Sequence, residues 1–291
     1  MLGLLLLFNA TAMYICSLLS ASADDGAMNG LLYSAFITTG VALVALVTTR
    51  NRKREIRKRD GYLTVVLGWL SMVLFGTLPY LLTGALESYS DALFETMSGF
   101  TATGATIIQD IESLPKSIIL WRSLTHWLGG MGIIVLAVAI LPLLGIGGVQ
   151  LFSAEATGLG GDKLHPRISD TAKRLWYIYV GFTVLEAILL SLAGMTVFDA
   201  VNHSMSTMAS GGFSTKNESL AYWNHRPVIQ YIVTLFMFLA GTNFVLIYFG
   251  LKGKLERIWQ DNEFRWYVGF VSLFTLITFI GIYTNVKLES T

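Results

Sequence analysis

Cysteine and charge are scarce in this sequence of 291 residues, and each scarcity excludes a class of protein. The single cysteine, Cys16, has no partner within the chain, which excludes a secreted scaffold held by disulfide bonds. Only 13% of the residues are charged, whereas a soluble globular domain carries roughly a quarter. The net charge of +1 argues against a nucleic-acid-binding protein, and the apolar content of 54% excludes a disordered chain. A polytopic membrane protein remains.

Long apolar runs are abundant, and they predict an all-α polytopic membrane protein. A spanning helix needs about 20 mostly apolar residues. Seven runs meet this requirement: 2–20, 29–49, 61–84, 117–144, 175–195, 227–250 and 266–286. The first run resembles a signal peptide at Ala21-Ser22-Ala23, but no basic residue precedes it, so we favour a retained helix.

Basic residues between the apolar runs predict the orientation of the chain in the membrane. Residues 50–60 hold seven Lys and Arg residues in eleven, and residues 146–174 and 251–265 carry further basic side chains. Because basic loops stay in the cytoplasm, we expect all three loops and the N-terminus on the cytoplasmic side. The run at 50–60 is either a topology determinant that contacts anionic lipids or a docking site for a partner, and we favour the former.

Two segments between apolar runs are too short to cross a membrane and too apolar for ordinary external loops. Residues 91–106 and 199–214 align at a constant offset of 108 residues, which places Gly104 opposite Gly212. Each copy lies between two predicted spans, on the external side. Duplicated units of this kind are typical of membrane transport proteins.

Each of these segments is predicted to form a short helix, with Asp91 or Asp199 as its N-cap. The Gly, Thr and Ser residues that follow predict extended backbone, which a membrane interior tolerates where it lines a water-filled cavity or is buried in protein. Glycine permits successive carbonyls to point the same way, and such carbonyls can replace the hydration shell of a cation. We therefore expect two re-entrant pore helices with pore loops. Packing loops or external hairpins are the alternatives.

The most specific motifs follow the two predicted pore helices. They are Trp127-Leu128-Gly129-Gly130-Met131-Gly132 and Gly211-Gly212-Phe213-Ser214-Thr215. Through them the sequence resembles the Trk/Ktr/HKT superfamily of potassium transport proteins, closest to the bacterial TrkH/TrkG type. The resemblance covers nearly the whole chain. It implies potassium uptake across the bacterial plasma (inner) membrane, with potassium as the transported substrate, no cofactor and no enzymatic activity.

The resemblance also divides the chain into regions. They are the N-terminal helix pair and basic loop (1–60), a first helix–pore-loop–helix repeat (61–145), a cytoplasmic loop (146–174), a second repeat (175–250), and a loop with the first helix of an incomplete third repeat (251–291). Members of the family place four repeats around one pathway, so this chain would supply about half of the filter. We expect either a piece of a longer chain, which we favour, or two half-chains that assemble.

The resemblance assigns the potassium-coordinating backbone carbonyls by position. They belong to Thr101, Ala102, Thr103, Gly104, Ala209, Ser210, Gly211 and Gly212. Of these we expect Ala102, Thr103, Ser210 and Gly211 to be central. The implied partners are the lipid bilayer, a second copy of the full-length protein, and a cytoplasmic nucleotide-binding regulatory subunit of the TrkA type that meets the loops at 146–174 and 251–265.

Several polar residues in apolar surroundings leave other interpretations open. His126 and His203 are expected to pack or to form hydrogen bonds, and Arg122 to extend its charge to the membrane interface. Glu186 lies within a predicted span, where it has either a functional role or a polar partner. The alternative hypotheses are a non-conducting scaffold or regulatory subunit derived from such a transporter, and a membrane enzyme that uses Glu186 and a histidine.

Overall fold

The computed structural model describes residues 2–49, 58–139 and 164–289, and all regular structure in these residues is helical. The helices are α1 (Leu2–Ala23), α2 (Met28–Thr49), α3 (Lys58–Gly76), α4 (Leu78–Thr83), α5 (Tyr89–Phe100), α6 (Lys116–Ala139), α7 (Leu164–Leu192), α8 (Val197–Met208), a 3-10 turn (Ser219–Trp223), α9 (Pro227–Ala240), α10 (Phe244–Leu251), α11 (Leu255–Gln260) and α12 (Asn262–Glu289). The predicted all-α class is confirmed.

Five helices in the described ranges are long and apolar enough to cross a membrane. They are Leu2–Ala23, Met28–Thr49, Leu63–Thr83, Lys173–Leu192 and Asn262–Thr284. Each coincides with one of the apolar runs singled out in the sequence. The run at 117–144 coincides with α6 as far as Ala139, and the remainder of that run lies outside the described residues.

The apolar run at 227–250 does not form the continuous helix that its composition predicts. Helix α9 ends at Ala240, and the side chain of Asn243 accepts a hydrogen bond from the amide of Val245 at 3.0 Å. Asn243 thereby caps the new helix α10, because its short amide side chain competes with helical backbone bonding. The two helices qualify as a span only as a bent pair, which raises the number of candidate spans in the described part to six.

Two of the three predicted loops lie only partly within the described residues, whereas the loop at 251–265 lies wholly within them and contains α11 and the start of α12. Helix α7 begins at Leu164, so the C-terminal portion of the predicted loop at 146–174 is helical. Residues 50–57 of the basic loop and 146–163 lie outside the described residues.

The chain forms two compact units, Met1–Met237 and Phe238–Thr291. The apolar core of the larger unit surrounds the start of α6 and the end of α5, with Met13, Leu31, Tyr80, Phe100 and Trp121 fully buried. The indole nitrogen of Trp121 also donates to the carbonyl of Gly76 at 3.2 Å. This core holds α5 in a defined position. In the smaller unit, the hydroxyl of Tyr267 donates to the carbonyl of Phe238 at 3.1 Å.

Asp25, in the turn between α1 and α2, ties this helix pair to α6. Its carboxylate accepts hydrogen bonds from the amide of Ser117 at 2.9 Å, from the amide of Ala27 at 3.3 Å and from the hydroxyl of Ser20. Partial burial alone would raise the pKa of this carboxyl, but the hydrogen bonds outweigh that effect and hold its pKa below the ordinary value.

We expect Asp25→Asn to lower the free energy of unfolding by about 1 kcal/mol at neutral pH, because charge-assisted hydrogen bonds are lost. A depressed pKa in the folded state stabilises the fold above the pKa of the unfolded chain, about 4. That contribution disappears as the pH falls through the folded pKa. Thermal unfolding in detergent between about pH 7 and about pH 3 should therefore show the difference from wild type shrinking. Asp24→Asn, at an exposed neighbour, is the control, and a pH-independent difference would contradict the prediction.

Candidate functional site

The two short helices α5 and α8 are 12 residues long and begin two residues before the predicted caps. The expectation that Asp91 and Asp199 are N-caps is wrong, because both residues lie inside the first helical turn. Ser88 and Thr196 occupy the N-cap positions, where the backbone is extended as a cap requires. The hydroxyl of Thr196 accepts from the amide of Asp199 at 3.1 Å, whereas Ser88 makes no such bond.

Helix α5 ends in a left-handed turn at a residue other than glycine. Ala102 has a φ of 51°, and its amide donates to the carbonyl of Gly99 at 3.0 Å. The amide of Thr103 donates to the carbonyl of Ser98 at 3.0 Å. This is a Schellman motif, which normally carries glycine at the left-handed position. A side chain there costs roughly 1–2 kcal/mol.

Helix α8 ends in the same way at the positions 108 residues later. Ser210 has a φ of 57°, and its amide donates to the carbonyl of Thr207 at 2.8 Å. The amide of Gly211 donates to the carbonyl of Ser206 at 2.9 Å. The repeat in the sequence is thus a repeat in backbone geometry, and both copies hold the same strained turn. Strained backbone of this kind is concentrated at functional sites.

These turns direct the amides of both segments back to the helices and leave the carbonyls free. We call residues 101–104 the first carbonyl segment and residues 209–212 the second carbonyl segment. Within the described ranges, no hydrogen bond to their backbone carbonyls is found. A second left-handed residue closes each segment, Gly104 with a φ of 75° and Gly212 with a φ of 93°. Backbone oxygens without protein donors need water or a cation.

The two carbonyl segments lie against each other. A Cβ atom added to Gly104 would lie 1.9 Å from the carbonyl oxygen of Gly211. The structure thus brings together the two sets of residues that the sequence singled out 108 positions apart. The second carbonyl segment also borders a cavity of about 400 Å³ lined in part by His203 and Val233, which leaves room for water beside it.

His126 of α6 lies directly behind the second carbonyl segment. Its ring stacks on Phe213 with the ring centres 3.8 Å apart, and its Nδ1 lies 3.0 Å from the hydroxyl oxygen of Ser206. A Cβ at Gly211 would lie only 2.2 Å from the His126 ring, so this position requires glycine. The expectation that His126 packs and forms a hydrogen bond is confirmed.

The expectation that Arg122 extends its charge to the membrane interface is wrong. Its side chain is only 1% exposed, and its Nε lies 2.8 Å from the Oε1 of Glu95 on α5. The ion pair keeps the charge inside the protein, because Glu95 supplies the counter-charge there. Sequence reasoning overlooked Glu95, although an acid and a base in neighbouring apolar segments were a usable signal.

His203 occupies in α8 the position that Glu95 occupies in α5, at the offset of 108 residues. Its Nδ1 donates to the carbonyl of Asp199 at 2.8 Å, so its Nε2 is the acceptor for the hydroxyl of Ser214 at 3.0 Å. In the first copy, Glu95 accepts from the hydroxyl of Thr106 at 3.0 Å. Each short helix therefore holds a hydroxyl side chain two residues beyond the carbonyl segment.

Glu186 is fully buried in α7, and neither of its carboxylate oxygens has a hydrogen-bond partner among the described residues. The expectation of a polar partner is therefore not supported by a hydrogen bond. In the part of the chain that the structure describes, no group of three His, Cys, Asp or Glu side chains is arranged to hold a metal ion.

These features define a polytopic, all-helical membrane protein whose two repeated short helices bring backbone carbonyls together. The chain belongs to the TrkH family of cation transport proteins, whose family model matches residues 30–287. It is therefore a member of a transporter family and not of an enzyme family.

Several relatives match over most of this chain. It is 40% identical over 288 residues to the Trk system potassium uptake protein TrkH of Salmonella typhimurium, covering 98% of this chain and 59% of the relative. It is 42% identical to TrkH of Escherichia coli K12, covering 92% of this chain and 56% of the relative. The crystal structure of the potassium transporter TrkH from Vibrio parahaemolyticus matches with a TM-score of 0.84 and 39% identity, covering 96% of this chain and 57% of that chain. The chain spans somewhat more than half the length of these relatives.

Proposed function

We propose that this chain takes part in potassium uptake across the plasma membrane and supplies part of a selectivity filter built from backbone carbonyls. The names of the relatives support potassium as the ion. The observation that carries the mechanism is the pair of carbonyl segments, which repeat the same left-handed turns and meet at Gly104 and Gly211.

The chemistry follows from the unpaired carbonyls. A potassium ion enters a filter only where protein oxygens replace its hydration shell. The carbonyls of Ala102, Thr103, Ser210 and Gly211 are our central candidates, flanked by those of Thr101, Gly104, Ala209 and Gly212. Both short helices end at these segments, so the negative ends of their dipoles also favour a cation there.

A closed ring of oxygens needs more than two segments. The resemblance to the Trk/Ktr/HKT superfamily suggests four, of which this chain would supply two. The others would come from a longer chain that includes this one or from a second copy. The observation that the chain spans somewhat more than half of its relatives agrees with this proposal.

The topology and the partners are part of the same proposal. We propose seven transmembrane helices with α5 and α8 as re-entrant pore helices, and a cytoplasmic N-terminus. This orientation rests on the basic loops and the positive-inside rule. A homodimer and a TrkA-type nucleotide-binding subunit at the cytoplasmic loops rest on the resemblance alone.

The proposal can be tested with the complete reading frame that contains this chain, in cells that lack their own potassium uptake systems. We expect the wild type to support rubidium uptake and Gly212→Ser to reduce it about tenfold or more. A side chain at the positive φ of residue 212 strains the backbone, and the second carbonyl segment can relieve that strain only by rotating its peptide groups, which turns its carbonyls. Gly26→Ser is the matched control. Gly26 and Gly212 both have positive φ angles, of 77° and 93°, and neither has an atom within 4 Å of an added Cβ.

The control separates the filter from general backbone strain. Equal uptake by the wild type and Gly212→Ser would contradict the assignment of the second carbonyl segment. A wild-type protein that reaches the membrane without supporting uptake would favour the alternative of a non-conducting scaffold.

A further inference from the structure

One buried guanidinium group connects the two copies of the repeat. Besides its bond to Glu95, Arg122 donates through Nη2 to the hydroxyl of Thr106 at 3.2 Å and through Nη1 to the carbonyl of Ser214 at 3.3 Å. Thr106 and Ser214 are equivalent in the repeat, and each lies two residues beyond the closing glycine of its carbonyl segment. Arg122 therefore holds both segments at the same point.

We propose that Arg122 and Glu95 form a positioning pair, which sets the spacing of the two carbonyl segments and thereby the preference for potassium over sodium. This inference rests on the proposed function of these segments as a filter. In this arrangement neither the Arg122 side chain nor the Glu95 side chain contacts the ion. Both act through the backbone that they hold.

Each carbonyl segment is anchored at both ends. The Schellman turns hold the end next to the helix, as described above. Arg122 holds the opposite end of both segments, and Glu95 reinforces the first by accepting from the amide of Ile107 at 3.1 Å. A stretch of four residues with both ends held has little freedom to move its carbonyls. Since potassium and sodium differ in size and in the oxygen geometry that they require, the spacing of these carbonyls affects selectivity.

The surroundings make this arrangement rigid. Arg122 and Glu95 are 1% and 0% exposed, so water does not compete for their hydrogen bonds. The guanidinium carbon also lies 4.1 Å from the centre of the Phe213 ring, which follows the second carbonyl segment. A planar guanidinium can bond three acceptors in fixed directions, whereas the single ammonium group of lysine cannot.

The charges point to positioning and not to attraction of the ion. Arg122 and Glu95 cancel each other, so the pair adds no net charge beside the segments. The second copy carries His203 and Gln230 at the equivalent positions and has no ion pair there. A single arginine thus serves both copies, as expected for a link between them.

The test compares potassium and sodium uptake by the complete protein. We expect Arg122→Lys to lower the ratio of potassium to sodium uptake about tenfold, since one charge-assisted hydrogen bond corresponds to roughly that change in an equilibrium. Lys216→Gln is the matched control. Lys216 pairs with Glu112 at 3.2 Å, and this ion pair joins the same two regions at the exposed surface. We expect the control to keep the wild-type ratio.

A second variant keeps the inference testable if Arg122→Lys fails to fold. Thr106→Val removes one acceptor of Arg122 with little change in volume, and we expect it to lower the ratio several-fold. An unchanged ratio in a variant that reaches the membrane would overturn the inference and leave the proposed function intact. A wild-type protein without potassium uptake would overturn the proposed function, and the inference with it.

Discussion

A single methyl group at Gly104 is expected to abolish the potassium uptake that we propose for the complete protein. The added Cβ would lie 1.9 Å from the carbonyl oxygen of Gly211, far inside any tolerated contact. The obstacle is backbone, so no side-chain rotation can relieve it. The φ of 75° adds strain for any residue with a side chain. Gly104→Ala should therefore displace both the first carbonyl segment, which contains residue 104, and the second.

Gly84→Ala separates the steric effect from the backbone strain. Gly84 also has a φ of 75°, but nothing lies within 4 Å of an added Cβ there. We expect this control to lose about 1 kcal/mol of stability and to keep its rubidium uptake. Uptake and the amount of protein in the membrane are measured together. Wild-type uptake by Gly104→Ala would contradict the close contact between the two carbonyl segments.

Neutralising one member of the buried ion pair is expected to have the largest effect on stability. Glu95→Gln leaves the charge of Arg122 buried without a counter-charge, which costs about 3–5 kcal/mol. In the double variant Glu95→Gln/Arg122→Gln no charge remains to be buried. We expect the double variant to be more stable than either single variant, although it loses the same ion pair.

The measurement is a double-mutant cycle from unfolding experiments in detergent. Glu112→Gln, in the exposed pair with Lys216, is the control and should cost no more than about 1 kcal/mol. Additive effects of the two single substitutions would contradict a coupled pair. A large effect of Glu112→Gln would show that the cost of losing an ion pair in this protein does not depend on its burial.

Much of the helical organisation could be predicted from the sequence because it depends on local patterns. Apolar runs long enough to cross a membrane placed α1, α2 and α12 within a few residues. The run at 227–250 was misjudged because composition does not register that Asn243 can cap a new helix. The caps of α5 and α8 were misplaced for a related reason. More than one polar residue lies near the start of each helix, Ser88 and Asp91 for α5 and Thr196 and Asp199 for α8, and only the backbone angles decide which of them is the cap.

The sequence by itself determined the membrane class, most of the long helices and the repeat, since these follow from apolar runs and from equivalent residues at a fixed offset. It also singled out both carbonyl segments. Only the tertiary structure decided that Gly104 meets Gly211 and that Arg122 pairs with Glu95, 27 residues away along the chain. The physical reason is that these contacts depend on how α5, α6 and α8 pack together. A buried charge requires a partner, but the fold decides which residue that partner is.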